Sequence, residues 1–302
     1  MPNLVLTFDC NNSCEFCFAD KTQNKEFKFE QIDKVYQFIK SLNRDSINLV
    51  GGEPTLNKDF LAIVKYFLSQ NQKITVFTNG NINKKLIENL KLVSDNNLQF
   101  CVNRSQSKKS SMLIDFYKKI GYCITLSITI YKQNQELRHI IDEINTYKLN
   151  KTYRLGIALP VWPDKNNQHI RAKDYGVISK EVIAFVKQGL NFGIKPLFDC
   201  GFPYCFFDED QKGFLSHQDI DFKSNCGIIP DICQGNIIIP CLPLKGIIQK
   251  YQNDSVWEDI RPLLENQLKQ FKKLPLFEKC ASCEEIALGN CSGGCSAFRL
   301  EK

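Results

Sequence analysis

Apolar and polar positions along the first two-thirds of the chain follow two rhythms in turn. Short apolar runs at residues 4–8, 47–50, 74–77, 98–102, 124–131 and 154–161 read as strands. Between them the period changes to that of a helix. Ile32, Val35, Tyr36 and Ile39 recur at i, i+3, i+4 and i+7, and so make one helix face. Phe60, Ile63, Val64, Phe67 and Leu68 make a second, and Leu137, Ile140, Ile141, Ile144 and Tyr147 another. Further helices are predicted at about 86–93, 112–120 and 179–189. Strands that alternate with helices imply βαβ units and a parallel sheet. Right-handed crossovers curl such a sheet into a barrel or part of one, with sites at the C-terminal ends of the strands.

The rhythm breaks near residues 160–175, where Pro160-Val161-Trp162-Pro163-Asp164 and a polar stretch read as a surface loop. From Cys200 onward the chain is rich in cysteines and turns. The expected division is a barrel over residues 1–195 and a smaller Cys-rich domain over 196–302. A chain of 302 residues with 43% hydrophobic composition suits that pair. No apolar run reaches the length of a membrane span, and no signal-peptide core is visible. Fourteen cysteines then argue for a reducing, cytoplasmic setting, in which thiolates bind metal instead of pairing. The net charge of +6 is scattered among polar residues as on a solvated face. No basic, aromatic-interleaved block marks a nucleic-acid surface.

The chemistry is carried by cysteines. Cys10, Cys14 and Cys17 form a C-x3-C-x2-C loop directly after the first predicted strand. Three thiolates can cap three irons of a [4Fe–4S] cubane, which is normally held by four, and so leave one iron open. A structural zinc site or buried thiols fit this spacing alone as well. Nine more cysteines follow residue 199: Cys200, Cys205, Cys226, Cys233, Cys241, Cys280, Cys283, Cys291 and Cys295. The C-x2-C pair Cys280/Cys283 and the C-x3-C pair Cys291/Cys295 suit a cluster or a four-cysteine zinc site. Cys101 and Cys123 fall in or beside strands and read as buried apolar residues.

The three-cysteine loop resembles that of the radical S-adenosylmethionine (SAM) enzymes, and Val50-Gly51-Gly52-Glu53-Pro54 resembles their Gly-Gly-Glu-Pro segment. The resemblance implies a partial (β/α)6 TIM-type barrel, in the α/β class. It also implies that the open iron chelates SAM, and that reductive cleavage gives a 5′-deoxyadenosyl radical which abstracts hydrogen. On that resemblance Phe16 lies near the adenine, Gly51 and Gly52 allow close backbone approach, and Glu53 meets the methionine ammonium. Asn79, Asn103 and Arg154 are then candidates for the SAM ribose or carboxylate.

The C-terminal part resembles the SPASM and twitch extensions of that family, which bind auxiliary clusters. Gly235-Asn236-Ile237-Ile238-Ile239-Pro240-Cys241 is one residue longer than the usual Gly-x4-Cys hairpin, and a final SPASM cysteine is missing. One or two auxiliary [4Fe–4S] clusters are implied. The first would use Cys226, Cys233, Cys241 and Cys295; the second Cys280, Cys283, Cys291 and Cys200 or Cys205. Such relatives often modify peptides by crosslinking, epimerisation or oxidation. A peptide or protein is therefore the first substrate class, and dehydrogenation or rearrangement of a small molecule the second. Nothing precedes Cys10 that reads as a peptide-recognition domain, which weakens a leader-peptide version unless a separate recognition protein or direct docking supplies that role. An external flavodoxin- or ferredoxin-type donor would supply electrons. A non-catalytic electron carrier is the remaining alternative, and it needs no open iron. Tyr204, Cys205 and Asp208 are candidates by position for a proton-transfer role.

Overall fold

The computed structural model describes residues 1–19, 26–93, 96–163, 167–252, 254–272 and 276–299. Six strands, β1 (Asn3–Thr7), β2 (Ser46–Gly51), β3 (Lys73–Thr78), β4 (Leu98–Asn103), β5 (Ile124–Ile130) and β6 (Thr152–Ile157), pair in parallel in sequence order. Helices α1 (Ile32–Ser41), α2 (Phe60–Ser69), α3 (Lys84–Val93), α4 (Ser111–Ile120) and α5 (Arg138–Tyr147) carry the crossovers. This is the parallel sheet that the alternation implied, curled into the partial TIM-type barrel that the resemblance implied. Each predicted helix face is the buried one: Ile32, Val35 and Ile39 of α1 and Ile140, Ile141 and Ile144 of α5 all enter the main core.

β6 stops at Ile157, short of the run read from sequence. Ala158 N still donates to Ile130 O at 2.8 Å, and Pro160 beyond it has no N–H to extend the ladder. The loop that follows is described except for its residues 164–166, so Asp164 lies outside the described residues.

α6 (Tyr175–Leu190) leads to β7 (Lys195–Phe198), which adds in parallel to β6 and was not expected from sequence. Its four residues include Lys195 and Pro196, which mask a strand pattern. After α7 (Glu209–His217), β8 (Asp231–Cys233) pairs in parallel with β1 on the opposite edge. β9 (Ile237–Ile239) and β10 (Gln249–Lys250) continue antiparallel from it, and α8 (Trp257–Lys272) packs outside. The sheet is thus ten strands long and runs unbroken across residue 195. The Cys-rich segment is built onto the barrel's own edge. Among the described residues no helix is long and apolar enough to cross a membrane.

Burial alternates along the middle strands. In β3, β5 and β6 every second residue is buried in the helix-facing core, for example Val76, Leu126 and Leu155. The intervening set is half-buried and mostly polar: Thr75, Phe77, Thr125, Ser127, Thr129 and Arg154. A side chain's neighbours in a strand point to opposite faces, so this second set lines the barrel's inner face. Closed barrels fill that space with bulky apolar layers.

One buried ion pair fixes the rim beyond β4. Arg104 donates through Nε and Nη2 to Glu143 of α5 at 3.0 and 2.9 Å, and through Nη1 to Lys108 O at 2.9 Å. Tyr117 OH adds a bond to Glu143 Oε2 at 3.0 Å. Side-chain exposure is 5% for Arg104 and 0% for Glu143, so each charge depends on the other. Replacing Glu143 by Ala is expected to cost about 3–5 kcal/mol of stability, because Arg104 would be stranded. Urea melts of wild type and variant measure it.

Candidate functional site

β1 ends at Thr7, and the chain turns there: Thr7 Oγ1 accepts from Asp9 N at 3.1 Å. Cys10, Cys14 and Cys17 follow on one loop, all half-buried. Cys17 N donates to Cys14 O at 3.2 Å, which closes a tight turn between two of the thiols. Backbone N–H groups are aimed at two sulfurs: Asn12 N at Cys10 Sγ and Ala19 N at Cys17 Sγ, both at 3.4 Å. Three thiols on one loop with N–H groups directed at the sulfurs fit a thiolate-held cluster. A single zinc ion needs its sulfurs about 2.3 Å from one point. Among the described residues no three His, Cys, Asp or Glu are arranged to hold one ion.

The Gly-Gly-Glu-Pro segment locks onto the base of this loop. Gly52 N donates to Thr7 O at 2.8 Å and Glu53 N to Asp9 O at 2.7 Å. A Cβ on Gly51 would stand 2.2 Å from Thr7 O, and one on Gly52 would stand 2.3 Å from Asp9 O. Both glycines are required by backbone packed on backbone.

Glu53 is fully buried. Its Oε1 accepts from Thr55 N at 3.2 Å, Thr55 Oγ1 at 2.6 Å and Thr78 Oγ1 at 2.8 Å. Its Oε2 accepts from Asn79 N at 2.7 Å. Burial pushes the carboxyl above its ordinary range, and these donors oppose the rise. Three of the four donors fall on Oε1 and one on Oε2. These bonds fasten the end of β2 to the end of β3.

Asn79 stands just past β3, beside the cysteine loop. Its Nδ2 donates to Asn11 Oδ1 at 2.7 Å and to Cys10 Sγ at 3.8 Å. Asn103 ends β4 and donates to Thr129 Oγ1 at 3.4 Å, with its Oδ1 accepting from Ser105 N at 3.1 Å. Phe16 is buried, and its ring meets Tyr131 at 4.9 Å between centroids, against Ala158. The loop after β6 braces it: Asn167 Nδ2 donates to Phe16 O at 3.3 Å and Gln168 N to Glu15 O at 2.8 Å. Arg154 goes elsewhere. It pairs with Asp199 at 2.7 Å and lies 4.6 Å over the Phe77 ring, on the inner face of the sheet.

The C-terminal thiols sort into two groups and a remainder. Cys200, Cys226, Cys241 and Cys295 lie within electrostatic range of one another. Burial pushes the Cys241 and Cys295 thiols well up, and the neighbouring thiols add to the rise. Cys205 lies within such range of Cys280 and Cys291. The loops are tied: Cys226 N donates to Ser292 Oγ at 2.8 Å, and Ser292 N to Ser224 O at 3.2 Å. A Cβ on Gly294 would stand 3.7 Å from Pro203 Cβ, which brings the Cys200–Cys205 turn against the Cys291–Cys295 turn.

Cys233, expected beside Cys226, is instead buried at the end of β8 among Val5, Phe8, Val50, Ile239 and Leu242. The strand fixes it there: pairing with Ile237 turns its side chain into that apolar cluster. Asp208 is the N-cap of α7, accepting from Gln211 N at 2.9 Å, and Lys212 Nζ lies 4.0 Å over the Tyr204 ring. Both have structural work at the positions where a proton-transfer role was considered.

Sequence reading missed Asn11, Asp199 and Asp231. Asp231 is buried beneath β1, takes Asn3 Nδ2 at 2.5 Å, and burial raises its carboxyl to about 7. Only the strand pairing of β8 with β1 brings it there, and no local pattern announces that. Changing Gly52 to Ala is expected to cost at least about 1–3 kcal/mol, since the added carbon meets backbone. It should also speed thiol labelling of Cys10, Cys14 and Cys17 in the folded protein, read by mass spectrometry.

SuiB of Streptococcus suis, solved with its precursor peptide SuiA, shares this fold with a TM-score of 0.70 at 17% identity, covering 99% of this chain and 72% of that one. The structure of anSMEcpe with AdoMet and a Cp18Cys peptide gives 0.66 at 16% identity, covering 100% and 91%. A Selenomonas ruminantium S-adenosylmethionine-dependent nucleotide dehydratase is 30% identical over 139 residues, 42% of this chain and 51% of that protein. A probable GTP 3′,8-cyclase of Pyrococcus abyssi is 27% identical over 115 residues, 37% and 38% of the two chains. The chain thus spans about half or less of the length of these curated relatives. The family model described as the radical SAM superfamily matches residues 4–104, which hold the three-cysteine loop, the Gly-Gly-Glu-Pro segment, Asn79 and Asn103. Residues 4–104 thus carry a radical SAM domain, a family whose cofactors are a [4Fe–4S] cluster and SAM.

Proposed function

We propose that this radical SAM enzyme modifies a peptide or protein, by crosslinking, epimerising or oxidising a residue. The observation that carries the reading is the extent of the fold likeness. It covers 99% of the chain, the Cys-rich segment included, and the partner in that likeness was solved with a peptide. The polar inner face of the open barrel gives such a substrate a place beside the cysteine loop.

Cys10, Cys14 and Cys17 would hold the radical-generating cluster and leave one iron to SAM. Bound there, the cluster would relay one electron from an external donor to SAM, whose cleavage to methionine and a 5′-deoxyadenosyl radical would supply hydrogen-atom abstraction. The chain's own residues do the rest. The Gly51–Gly52–Glu53 segment fixes the loop's base through backbone bonds. Phe16, tilted against Tyr131, offers an apolar wall suited to an adenine. Asn103 presents an amide at the rim suited to a ribose. The half-buried inner residues orient the substrate and limit water around it.

Two auxiliary clusters would follow from the thiol groups: Cys200, Cys226, Cys241 and Cys295 for one, and Cys205, Cys280, Cys283 and Cys291 for the other. Four thiolates each complete both sites, and Cys233 is surplus. A complete thiolate set suits electron transfer better than substrate binding at an open iron. The missing final cysteine of the SPASM pattern is then made good by the Cys200–Cys205 turn. A reduced flavodoxin or ferredoxin would feed the system in a reducing, cytoplasmic setting.

A second reading, a nucleotide or other small molecule as substrate, is favoured by the 30% identity to the dehydratase. Deuterium transfer separates the two. Reduced enzyme and SAM are incubated either with a fully deuterated peptide pool or with deuterated nucleoside triphosphates. Deuterium is expected in 5′-deoxyadenosine from the peptide pool alone. Label from the nucleotides alone would replace the peptide reading with the second one.

A further inference from the structure

The side-chain amide of Asn79 is held in one orientation by a closed set of bonds. Its Oδ1 accepts from Asn81 N at 2.8 Å. Its Nδ2 donates to Asn11 Oδ1 at 2.7 Å. Asn11 is fixed in turn, because its own Nδ2 donates to Asn81 O at 3.1 Å. Turning the Asn79 amide over would set its oxygen against Asn11 Oδ1 and its NH2 against the Asn81 N–H, losing both bonds. The Asn79 backbone is pinned as well, since its N–H is the donor to Glu53 Oε2 at 2.7 Å. An amide NH2 has two hydrogens. One serves Asn11, and the other faces Cys10 Sγ at 3.8 Å.

We propose that Asn79 is a positioning residue that sets the reduction potential of the cluster held by Cys10, Cys14 and Cys17, through its N–H···S bond to Cys10. The inference rests on those three cysteines holding the cluster, and it gives Asn79 a role other than contact with SAM. Reduction adds negative charge that the ligand sulfurs share. A donor aimed at a sulfur stabilises the reduced state more than the oxidised one and raises the potential. Asn12 N makes a second such bond to the same sulfur at 3.4 Å. That donor is backbone and survives any substitution except proline, so Asn79 is the adjustable member of the pair. Glu53 acts at one remove: it holds the Asn79 backbone, and the Gly-Gly-Glu-Pro segment is thereby coupled to the cluster's electronics.

The test is an EPR-monitored redox titration of anaerobically reconstituted full-length protein. Wild type, Asn79→Leu, Asn79→Asp and Asn11→Ala are compared, each with iron content measured first. Leu keeps the side chain's size without the donor, and its midpoint potential is expected to shift negative. Asp loses the donor and adds a charge, and should shift further. Asn11→Ala keeps the bond to Cys10 and should move the potential least. Proton ENDOR of the reduced wild-type cluster in H2O and D2O gives a readout that does not depend on the variants' folding alone. An exchangeable proton coupling beyond that of the Asn12 amide is expected, lost in Asn79→Leu. Equal potentials in wild type and Asn79→Leu, both carrying full iron, would overturn the role of Asn79 while leaving the cluster assignment intact. Iron content unchanged on replacing Cys10, Cys14 and Cys17 would overturn the assignment and this role together.

Discussion

The site depends on one buried carboxylate. Glu53 is withdrawn from water and gathers donors from three places: Thr55 in its own turn, Thr78 at the end of β3, and the backbone of Asn79 just beyond. A buried carboxylate is costly unless its acceptor positions are filled. Here the cost is offset only when the ends of β2 and β3 stand in a single arrangement. That arrangement places Glu53 N on Asp9 O and Asn79 beside Cys10. The cysteine loop, which has no strand or helix of its own, takes its shape from this joint. The glycines at 51 and 52 complete it, because any side chain there would push the loop's base away.

The second constraint is the inner face of the sheet. A closed barrel buries that face in apolar layers, and its lumen stores stability. Here the inner positions of β3, β5 and β6 are polar and half-buried, and the sheet runs open from β7 to β10. Stability comes from the outer core between sheet and helices. The Arg154–Asp199 pair and the Phe77 ring beneath it give the inner face a fixed polar feature on the side toward Cys200.

Most of the barrel was legible in the chain because its signals are local. The β4 run and the α5 face each appear within ten residues, and Cys10, Cys14 and Cys17 share one loop. What was illegible depends on pairing between distant segments. β7 carries Lys195 and Pro196 and reads as a loop until β6 is placed beside it. β8 adds to β1 from more than two hundred residues away, and that pairing carries Cys233 into an apolar cluster and Asp231 beneath Asn3. The SPASM resemblance grouped Cys233 with Cys226 and Cys241, whereas the hairpin turns it into an apolar cluster. Glu53 is a parallel case. The motif marks the residue as important, but only the positions of Thr78 and Asn79 show that its carboxylate joins the ends of β2 and β3.

The central claim is that the Cys10–Cys17 loop holds the cluster that cleaves SAM. The most direct measurement is made on anaerobically reconstituted protein, wild type against the triple variant with Cys10, Cys14 and Cys17 changed to Ala. Iron and sulfide are counted, and 5′-deoxyadenosine is assayed after dithionite and SAM are added. About twelve irons in wild type, falling by about four in the variant with loss of deoxyadenosine, is the predicted result for one radical-generating and two auxiliary [4Fe–4S] clusters. Zinc in place of iron, or deoxyadenosine formation that survives the triple change, would contradict it.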